Sequence, residues 1–387
     1  MDNYVVTHLH SMLSNATTNI DSVTSFEAYV DKAKELGMKA IAFTEHGNIL
    51  SWKNKKDYCE KNGIKYIHAV EAYLTANNDL TTEKVRDNYH ICLYALNYQG
   101  FLELNKLISN AGNRKTNHFY FTPRIYFDEF LRISDNIAVT SACLGGVLNR
   151  GTEELKKKFL QYFVSHDNRC FLEIQHHNVK DQIEYNQYLY KLSQQYKLKL
   201  ITGTDTHSLD QLAAEGREKL QKAKKIFFDN EVGWDLTFKN YKELVNVYEE
   251  QKSLPMDVVL AAIDNTNKLA DMVEEYDIDN SPKYPVLYNN PDDVFEQKIQ
   301  QGFQDRNIPK DKLDIYKQRA SDEVKVFKKT GSINYMLFMK DLVDYAHQNN
   351  MWQGYGRGSV NGSIVAYLLG ITDMDSIKYK LNFFRFM

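Results

Sequence analysis

The sequence predicts an α/β protein in which a parallel, barrel-like sheet is followed by a mostly helical part. Three observations point there. Short apolar runs alternate with amphipathic helical stretches over about the first two hundred residues; charged helical patterns take over from about Glu215; and 387 residues exceed what one core ordinarily holds while sufficing for two.

Taken in order, NYVVTHLH (3–10), KAIAFTEHG (39–47) and KYIHAVEAYL (65–74) read as strands. SFEAYVDKAKELG (25–37) and a helical stretch ending near Gly63 separate them, which is βαβ rhythm. YHICLYAL (89–96), NIAVTSACLGG (136–146), CFLEIQHHN (170–178) and KLKLITGTDTH (197–207) continue the series. Strand-then-helix units repeated over this length fit a parallel barrel better than an open sheet. Beyond Glu215 the pattern is helical, Asn265 to Glu275 being the clearest example, and the stretch from Ser281-Pro282 to Pro291 reads as a linker. The domain boundary is expected between about 210 and 285, with 1–210 the barrel, 211–290 a helical extension and linker, and 291–387 a last domain. That last region ends in a Gly-rich turn, GYGRGSVNGS (354–363), followed by an apolar helix, IVAYLLGI.

Composition narrows the function classes. With 43% hydrophobic and 26% charged residues and no stretch near the roughly 20 apolar residues a bilayer span needs, the chain reads as a soluble globular protein. Its opening, MDNYVVTHLH, has neither the basic nor the apolar region of a secretory signal, so the reducing cytoplasm is the expected compartment and the four cysteines are expected as thiols or ligands. A formal charge of -3 argues against nucleic-acid binding by bulk charge, though not against a local basic groove. The 26 Tyr and 20 Phe are expected mainly in cores, with base stacking the lesser use.

Barrels present catalytic groups at the C-terminal ends of their strands, and here those positions hold His8, His10, Glu45, His46, Glu71, Cys143, Asp205 and His207. In His8-Leu9-His10 and Asp205-Thr206-His207 the two-residue spacing puts both polar side chains on one face of an extended backbone, so each pair can serve one cavity. Imidazole, carboxylate and thiolate together suit borderline transition metals better than Ca or Mg, and more than four ligands implies more than one ion. Clustered ions favour phosphoester hydrolysis without a serine or cysteine nucleophile. Singly, each residue has a plainer reading. An isolated His-x-His is more often surface or core than ligand, a lone Cys143 is a small buried hydrophobe, and His90, which opens its strand, reads as a core or surface histidine. His68, His118, His166, His176, His177 and His347 lack a partner pattern and are read as structural or exposed. Glu173 is read as a group that orients an imidazole.

The motifs HLHS, FTEHG, VEAYL, SACLGG and TDTH, in this order, resemble the PHP domain, in the version that opens bacterial replicative DNA polymerases of the C family (polymerase III α subunit type). The resemblance implies a distorted TIM-like (β/α) barrel of PHP type, followed by a mostly helical segment and a partial polymerase palm. It implies nine ligands for two or three divalent transition metals, Mn, Zn or Fe: His8, His10, Asp21, His46, Glu71, His90, Cys143, Asp205 and His207. The loop SNATTNIDS, longer than the family's usual one, supplies Asp21, with Asn15 and Thr17 as the alternatives. Glu45 stands where an Asp is commoner. Retention of the full set implies a 3′-5′ exonuclease or related phosphoesterase, with hydrolysis depending on His8, His10, Asp205 and His207.

Residues 330–386 resemble the start of the same polymerases' palm, where a Gly-Ser turn cradles the incoming triphosphate. The physics is intelligible without the family: small residues let backbone N–H groups approach phosphate, the next helix offers its N-terminus, and Arg357 can grip phosphate with two prongs. Alone, such a turn before a helix is more often ordinary capping; the resemblance of its flanks implies nucleotide binding at Arg357, Gly358, Ser359, Gly362 and Ser363. Asp373 and Asp375 are not read as catalytic, and Phe384 replaces a family Glu. The family's palm aspartates lie beyond Met387, so the resemblance implies DNA synthesis on a primer-template only with a complementing chain, and Mg only in that completed palm. The rival readings are a free-standing PHP phosphatase acting on a small phosphomonoester, and a PHP domain kept as a metal-stapled structural support.

Overall fold

The computed structural model describes residues 3–76, 86–226, 233–281 and 283–386; Pro282 and Met387 lie outside them. The chain divides into two units, residues 1–278 and 279–387. No helix among the described residues is long and apolar enough to cross a membrane.

The first unit is built on a seven-stranded sheet: β1 (Ala40–Phe43), β2 (Lys65–Thr75), β3 (Tyr89–Ala95), β4 (Ile125–Tyr126), β5 (Ile137–Thr140), β6 (Cys170–Gln175) and β7 (Lys199–Gly203). Its order is β1-β2-β3-β5-β6-β7, with β4 paired to the end of β2. The run 3–10 joins the two edges and curls the sheet into a distorted barrel, Val6 bridging Ile41 on β1 and Leu9 bridging Thr206 just past β7. The run makes isolated bridges and no regular strand. Its inward residues, Val5 in the barrel core and His8 among the polar groups above, are three apart, so the period of two slips once at Thr7.

The sheet departs from an all-parallel barrel in one place: β3 runs antiparallel to both β2 and β5. Antiparallel neighbours need no crossover helix, and none is described between β2 and β3. The reversal brings the start of β3 to the rim where the other strands end, with His90 opposite Tyr73.

Alternation along the strands separates two apolar layers. Outward residues such as Val70, Leu93, Val139 and Leu172 pack under the surrounding helices, while inward Ala42, Ala69, Cys92, Ala138, Phe171 and Ile201 fill the barrel. Each such side chain, fully buried, stabilises by about 1.5–3 kcal/mol when it is as large as Leu or Phe. The helix Met256–Met272 closes the end opposite the rim. Leu269 and Ala270, with Val273 just beyond its end, join the barrel core, Thr266 accepts from the Val5 amide (3.0 Å), and Asn265 donates to the Leu200 carbonyl (2.7 Å). This helix starts nine residues before the predicted Asn265 and ends at Met272, because its buried polar residues cap strand ends and its apolar ones plug the barrel.

In the second unit, helices Pro291–Asp305, Leu313–Lys329, Ile333–Gln348 and the short Ile364–Leu368 surround a core of Phe295, Ile299, Tyr316, Phe327, Met336, Val365 and Phe383. Gly302 lets the first of these touch the last, since a Cβ there would lie 2.1 Å from the Leu368 carbonyl oxygen.

Candidate metal centre

All nine residues expected as ligands stand in one cluster on the rim of the barrel. Glu71, inward on β2, is its hub: Oε1 lies 2.6 Å from His90 Nδ1, 3.7 Å from Cys143 Sγ and 3.8 Å from His8 Nε2, and Oε2 lies 2.8 Å from His46 Nδ1 and 3.4 Å from His10 Nε2. Asp205 Oδ1 reaches His8 Nε2 (3.3 Å) and His10 Nε2 (3.2 Å), and Asp21 Oδ1 reaches His46 Nε2 (3.3 Å) and His207 Nε2 (3.4 Å). The alternatives to Asp21 fall away from this cluster in one informative case. Asn15 accepts from the amides of Asp21 (2.7 Å) and Ser22 and donates to the Ser22 carbonyl, so it shapes the loop that presents Asp21.

The donor set passes a physical test for metal. His10 Nε2, His46 Nδ1, Asp21 Oδ2 and Glu71 Oε2 are buried without a hydrogen bond, close though carboxylates and imidazoles stand. Buried polar atoms are rarely left so, and lone pairs converging at ligand spacing are what bound cations require. Donor atoms of His10, Asp21, His46 and His207 lie within 4.8 Å of one another, as do those of His8, His10 and Glu71, and those of Glu71, His90 and Cys143. Burial pushes His10 down to about 4, with His46 and His207 adding to it, so its ring is neutral and its lone pair available. Burial works the other way on Asp21 and Glu71, but the surrounding imidazoles hold both well below the usual carboxylate range. Burial, then Glu71 and Asp205, pushes the Cys143 thiol up. The cluster is thus ionised carboxylate that draws positive charge.

A second layer fixes the ligands. Glu173 Oε1 lies 2.6 Å from His8 Nδ1, and the same carboxylate accepts from Thr140 Oγ1 (2.6 Å) and Gln175 Nε2 (2.9 Å). That bond turns Nε2 of His8 toward Glu71 and Asp205. Gly203 makes it possible, because a Cβ there would sit 2.0 Å from Glu173 Oε1. Gly145 does the same for His90, whose ring would lie 2.7 Å from an added Cβ. Glu45 turns away from the cluster: it accepts from Ser11 N (3.0 Å), Ser11 Oγ (2.5 Å), Ser14 Oγ (2.6 Å) and the buried Lys55 Nζ (2.7 Å). Ser14 Oγ in turn lies 3.2 Å from His10 Nδ1. The His207 ring is steered by its Nδ1 at 2.7 Å from the Asp205 carbonyl oxygen. Asp205 and Ala142 adopt left-handed backbone (φ 45° and 56°), a conformation that non-glycine residues keep where a turn at a site demands it.

Several of these were silent in the sequence. His90 is ambiguous in sequence because alternation does not encode the antiparallel course of β3. Gly203, Ser14 and Lys55 lie in none of the sequence motifs, and Gly145, inside SACLGG, shows its role only through its approach to His90. Cys92 was findable: two residues past His90, it shares the inward face and lies 3.6 Å from His8 Nδ1, its thiol pushed by burial up to about 12. The histidines read as structural sit apart: His68 pairs with Tyr66 and Asn105, His118 with Thr116 and Glu129, His166 with the Tyr162 carbonyl, and His347 is exposed. His176 and His177 are buried just past β6, and His177 stacks on Trp234 at 4.5 Å.

Above the cluster opens a cleft of about 780 Å³, lined also by Tyr73, Arg150, Lys180, Asp181 and Trp234.

In the second unit, Arg357, Gly358 and Ser359 are exposed, Gly358 with φ 76°. Gly362 and Ser363 are buried instead of facing a ligand. A Cβ on Gly362 would meet the Asn382 carbonyl oxygen at 2.3 Å, and Ser363 Oγ donates to Glu323 Oε2 (2.7 Å). Glu323 also accepts from the Ile364 (3.1 Å) and Val365 (3.0 Å) amides and from Arg319 Nε (2.7 Å), so the first amides of that short helix already hold a carboxylate. Asp373 is bound by Arg306 and Asp375 by Tyr316.

Comparison with known proteins places these features. A family model described as the PHP domain matches residues 7–177, and one described as the bacterial DNA polymerase III alpha NTPase domain matches residues 293–387. The DNA polymerase III subunit alpha of Helicobacter pylori (strain ATCC 700392 / 26695) is 31% identical across 100% of this chain and 34% of its own length. Those of Borreliella burgdorferi and Aquifex aeolicus are 30% and 31% identical across 99% of the chain and 34% and 35% of their own lengths. The chain therefore spans about a third of the length of the curated relatives it matches.

Proposed function

We propose that the chain is the N-terminal part of a bacterial DNA polymerase III α subunit and that its first unit is a multi-metal phosphoesterase that removes nucleotides from DNA 3′ ends. The observation that carries this reading is the convergence of nine donor residues on one rim, four of them with buried atoms that make no hydrogen bond. His10, Asp21, His46 and His207 would hold one ion, His8, His10, Glu71 and Asp205 a second, and Glu71, His90 and Cys143 a third. When bound, such ions supply Lewis-acid polarisation of a phosphoryl oxygen and activation of water near neutral pH; the mixed donors suit Mn, Zn or Fe. The protein's own share is to keep His10 neutral, to aim His8 through Glu173, and to exclude water beneath the cluster with the apolar barrel core.

In the second unit, Arg357, Gly358 and Ser359 form an exposed turn that can meet a nucleotide's phosphates, while Gly362, Ser363 and Glu323 hold the turn's shape. DNA synthesis would require the rest of a palm from further polypeptide, with Mg entering there, and primer-template DNA and nucleotide are the ligands this reading implies.

The test is hydrolysis of a labelled primer-template and of p-nitrophenyl phosphate by the purified chain with Mn or Zn, against His8→Ala and Asp205→Asn. Metal-dependent loss of 3′ nucleotides that both substitutions abolish is expected. Turnover of the small ester alone would replace this reading with a phosphatase, and metal binding without either activity would leave a structural centre.

A further inference from the structure

We propose that Arg150 and Trp234 form a nucleotide subsite on the rim of the metal cleft, Arg150 holding the phosphate beside the reacting one and Trp234 stacking a base. The cleft then takes the end of a polynucleotide strand in preference to a small phosphomonoester. The inference rests on the phosphoesterase reading for what becomes of the strand, but not for whether the strand binds.

The cleft is large for its metal centre. About 780 Å³ is the size of a site for a whole organic ligand, and ions with one phosphate would leave much of it empty. The rest of its lining carries two cations and one half-buried indole. Lys180 stands next to Asp181 and lies 3.8 Å from Glu184 on its own helix. Arg150 differs: it ends the short helix Val147–Arg150, one turn after the Gly145-Gly146 pair that seats His90, and its side chain is exposed. Among the described residues that side chain makes no ion pair or hydrogen bond, although it lines a cleft whose centre binds anions only through metal. An arginine fork without a carboxylate, set beside a phosphoester centre, is matched to a neighbouring phosphate, which it can grip with two prongs.

Trp234 supplies the second contact. It is half-buried, its ring stacked on His177 with centroids 4.5 Å apart and planes 28° from parallel, and it lines the same cleft. The buried histidine braces the indole, so a stacking base meets a platform that need not be ordered on binding. Stacking on such a ring tolerates any base, as a site working along a strand requires. A small phosphomonoester would use neither group.

The test reads Trp234 directly. The chain has three tryptophans. In the Trp52→Phe, Trp352→Phe background, Trp234 fluorescence is titrated with a short oligothymidylate whose linkages are phosphorothioates, and separately with inorganic phosphate. Quenching by the oligonucleotide is expected, with Arg150→Gln weakening it about tenfold, as loss of a charge-assisted contact does, and Arg150→Lys falling between. Unchanged melting temperatures verify that the variants fold. No quenching, equal affinity for inorganic phosphate, or an Arg150→Gln titration that overlays the parent's would overturn the subsite. The two readings fail separately. A parent that binds the strand through Arg150 yet cleaves nothing with Mn or Zn removes the phosphoesterase and keeps the subsite, whereas metal-dependent cleavage with Arg150 irrelevant to binding does the reverse.

Discussion

Gly203→Ala isolates the second layer of the metal centre, because it changes no ligand and no charge. Gly203 lies opposite Gln175 in the β6–β7 pairing and has ordinary negative φ, so alanine costs the backbone little there. The added Cβ would stand 2.0 Å from Glu173 Oε1, where ordinary contact begins at 3.4 Å, so the carboxylate must retreat by about 1.4 Å. Glu173 cannot do this and keep its 2.6 Å bond to His8 Nδ1. Freed of that bond, the His8 ring loses the restraint that points Nε2 at Glu71 and Asp205. Loss of such a partner ordinarily lowers metal affinity about 10- to 100-fold, equivalent to about 1.4–2.8 kcal/mol. The assay is a competition titration of Mn or Zn against a chelating dye, with Glu173→Gln in parallel. Both variants are expected to weaken the tightest site by similar factors. If Gly203→Ala binds metal within about twofold of the parent, the carboxylate does not steer His8 and the two-layer description fails.

Other perturbations reach separate parts of the molecule. Asp21→Asn should lower the number of bound ions by one when counted by elemental analysis, while Asn15→Ala, which disturbs only the loop, should weaken binding and leave the count intact. Burial and Lys55 hold His68 at about 3 against its ordinary 6.5, despite a hydrogen bond to Asn105. The unfolded chain therefore takes the proton first, and stability present above pH 6.5 is lost as pH falls from there toward 3, by about 2 kcal/mol at pH 5. Urea unfolding of His68→Gln should show a shallower decline over that window than the parent. Glu323→Ala leaves two helix amides, Ser363 and Arg319 without their shared acceptor, and should destabilise the second unit by about 3 kcal/mol, read as a lower unfolding midpoint in guanidinium chloride.

How much of this was legible differs between the units for a physical reason. In the barrel, the ligands follow strand register: a period of two, ended by a turn, announces His8 with His10 and Asp205 with His207. The apolar runs give the strands, and the strand-end positions give the rim. His90 needed the direction of its strand, which alternation does not encode, since a strand reads the same whether it pairs parallel or antiparallel. The supporting glycines needed distances across strands: nothing in the run KLITG says that Glu173, thirty residues earlier, lies over Gly203.

The second unit shows the opposite case, a local signal overridden by a distant residue. A Gly-Ser turn entering a helix offers free amides to an anion, and GYGRGSVNGS has that form. The amides at its end are nevertheless engaged, because Glu323, forty residues before Ser363, is buried against them and held by Arg319 on its own helix. A carboxylate at a helix start satisfies the same donors that phosphate would, and an internal one needs no ligand concentration to stay there. Anion binding in this segment must therefore fall to the groups that remain exposed, Arg357 with the Gly358-Ser359 backbone. If that is so, Arg357→Ala should abolish nucleotide-dependent protection of the segment in hydrogen exchange, whereas Ser363→Ala should loosen the fold around Glu323 with or without nucleotide. Equal loss of protection in both variants would return Ser363 to the binding surface and contradict the geometry of its cap.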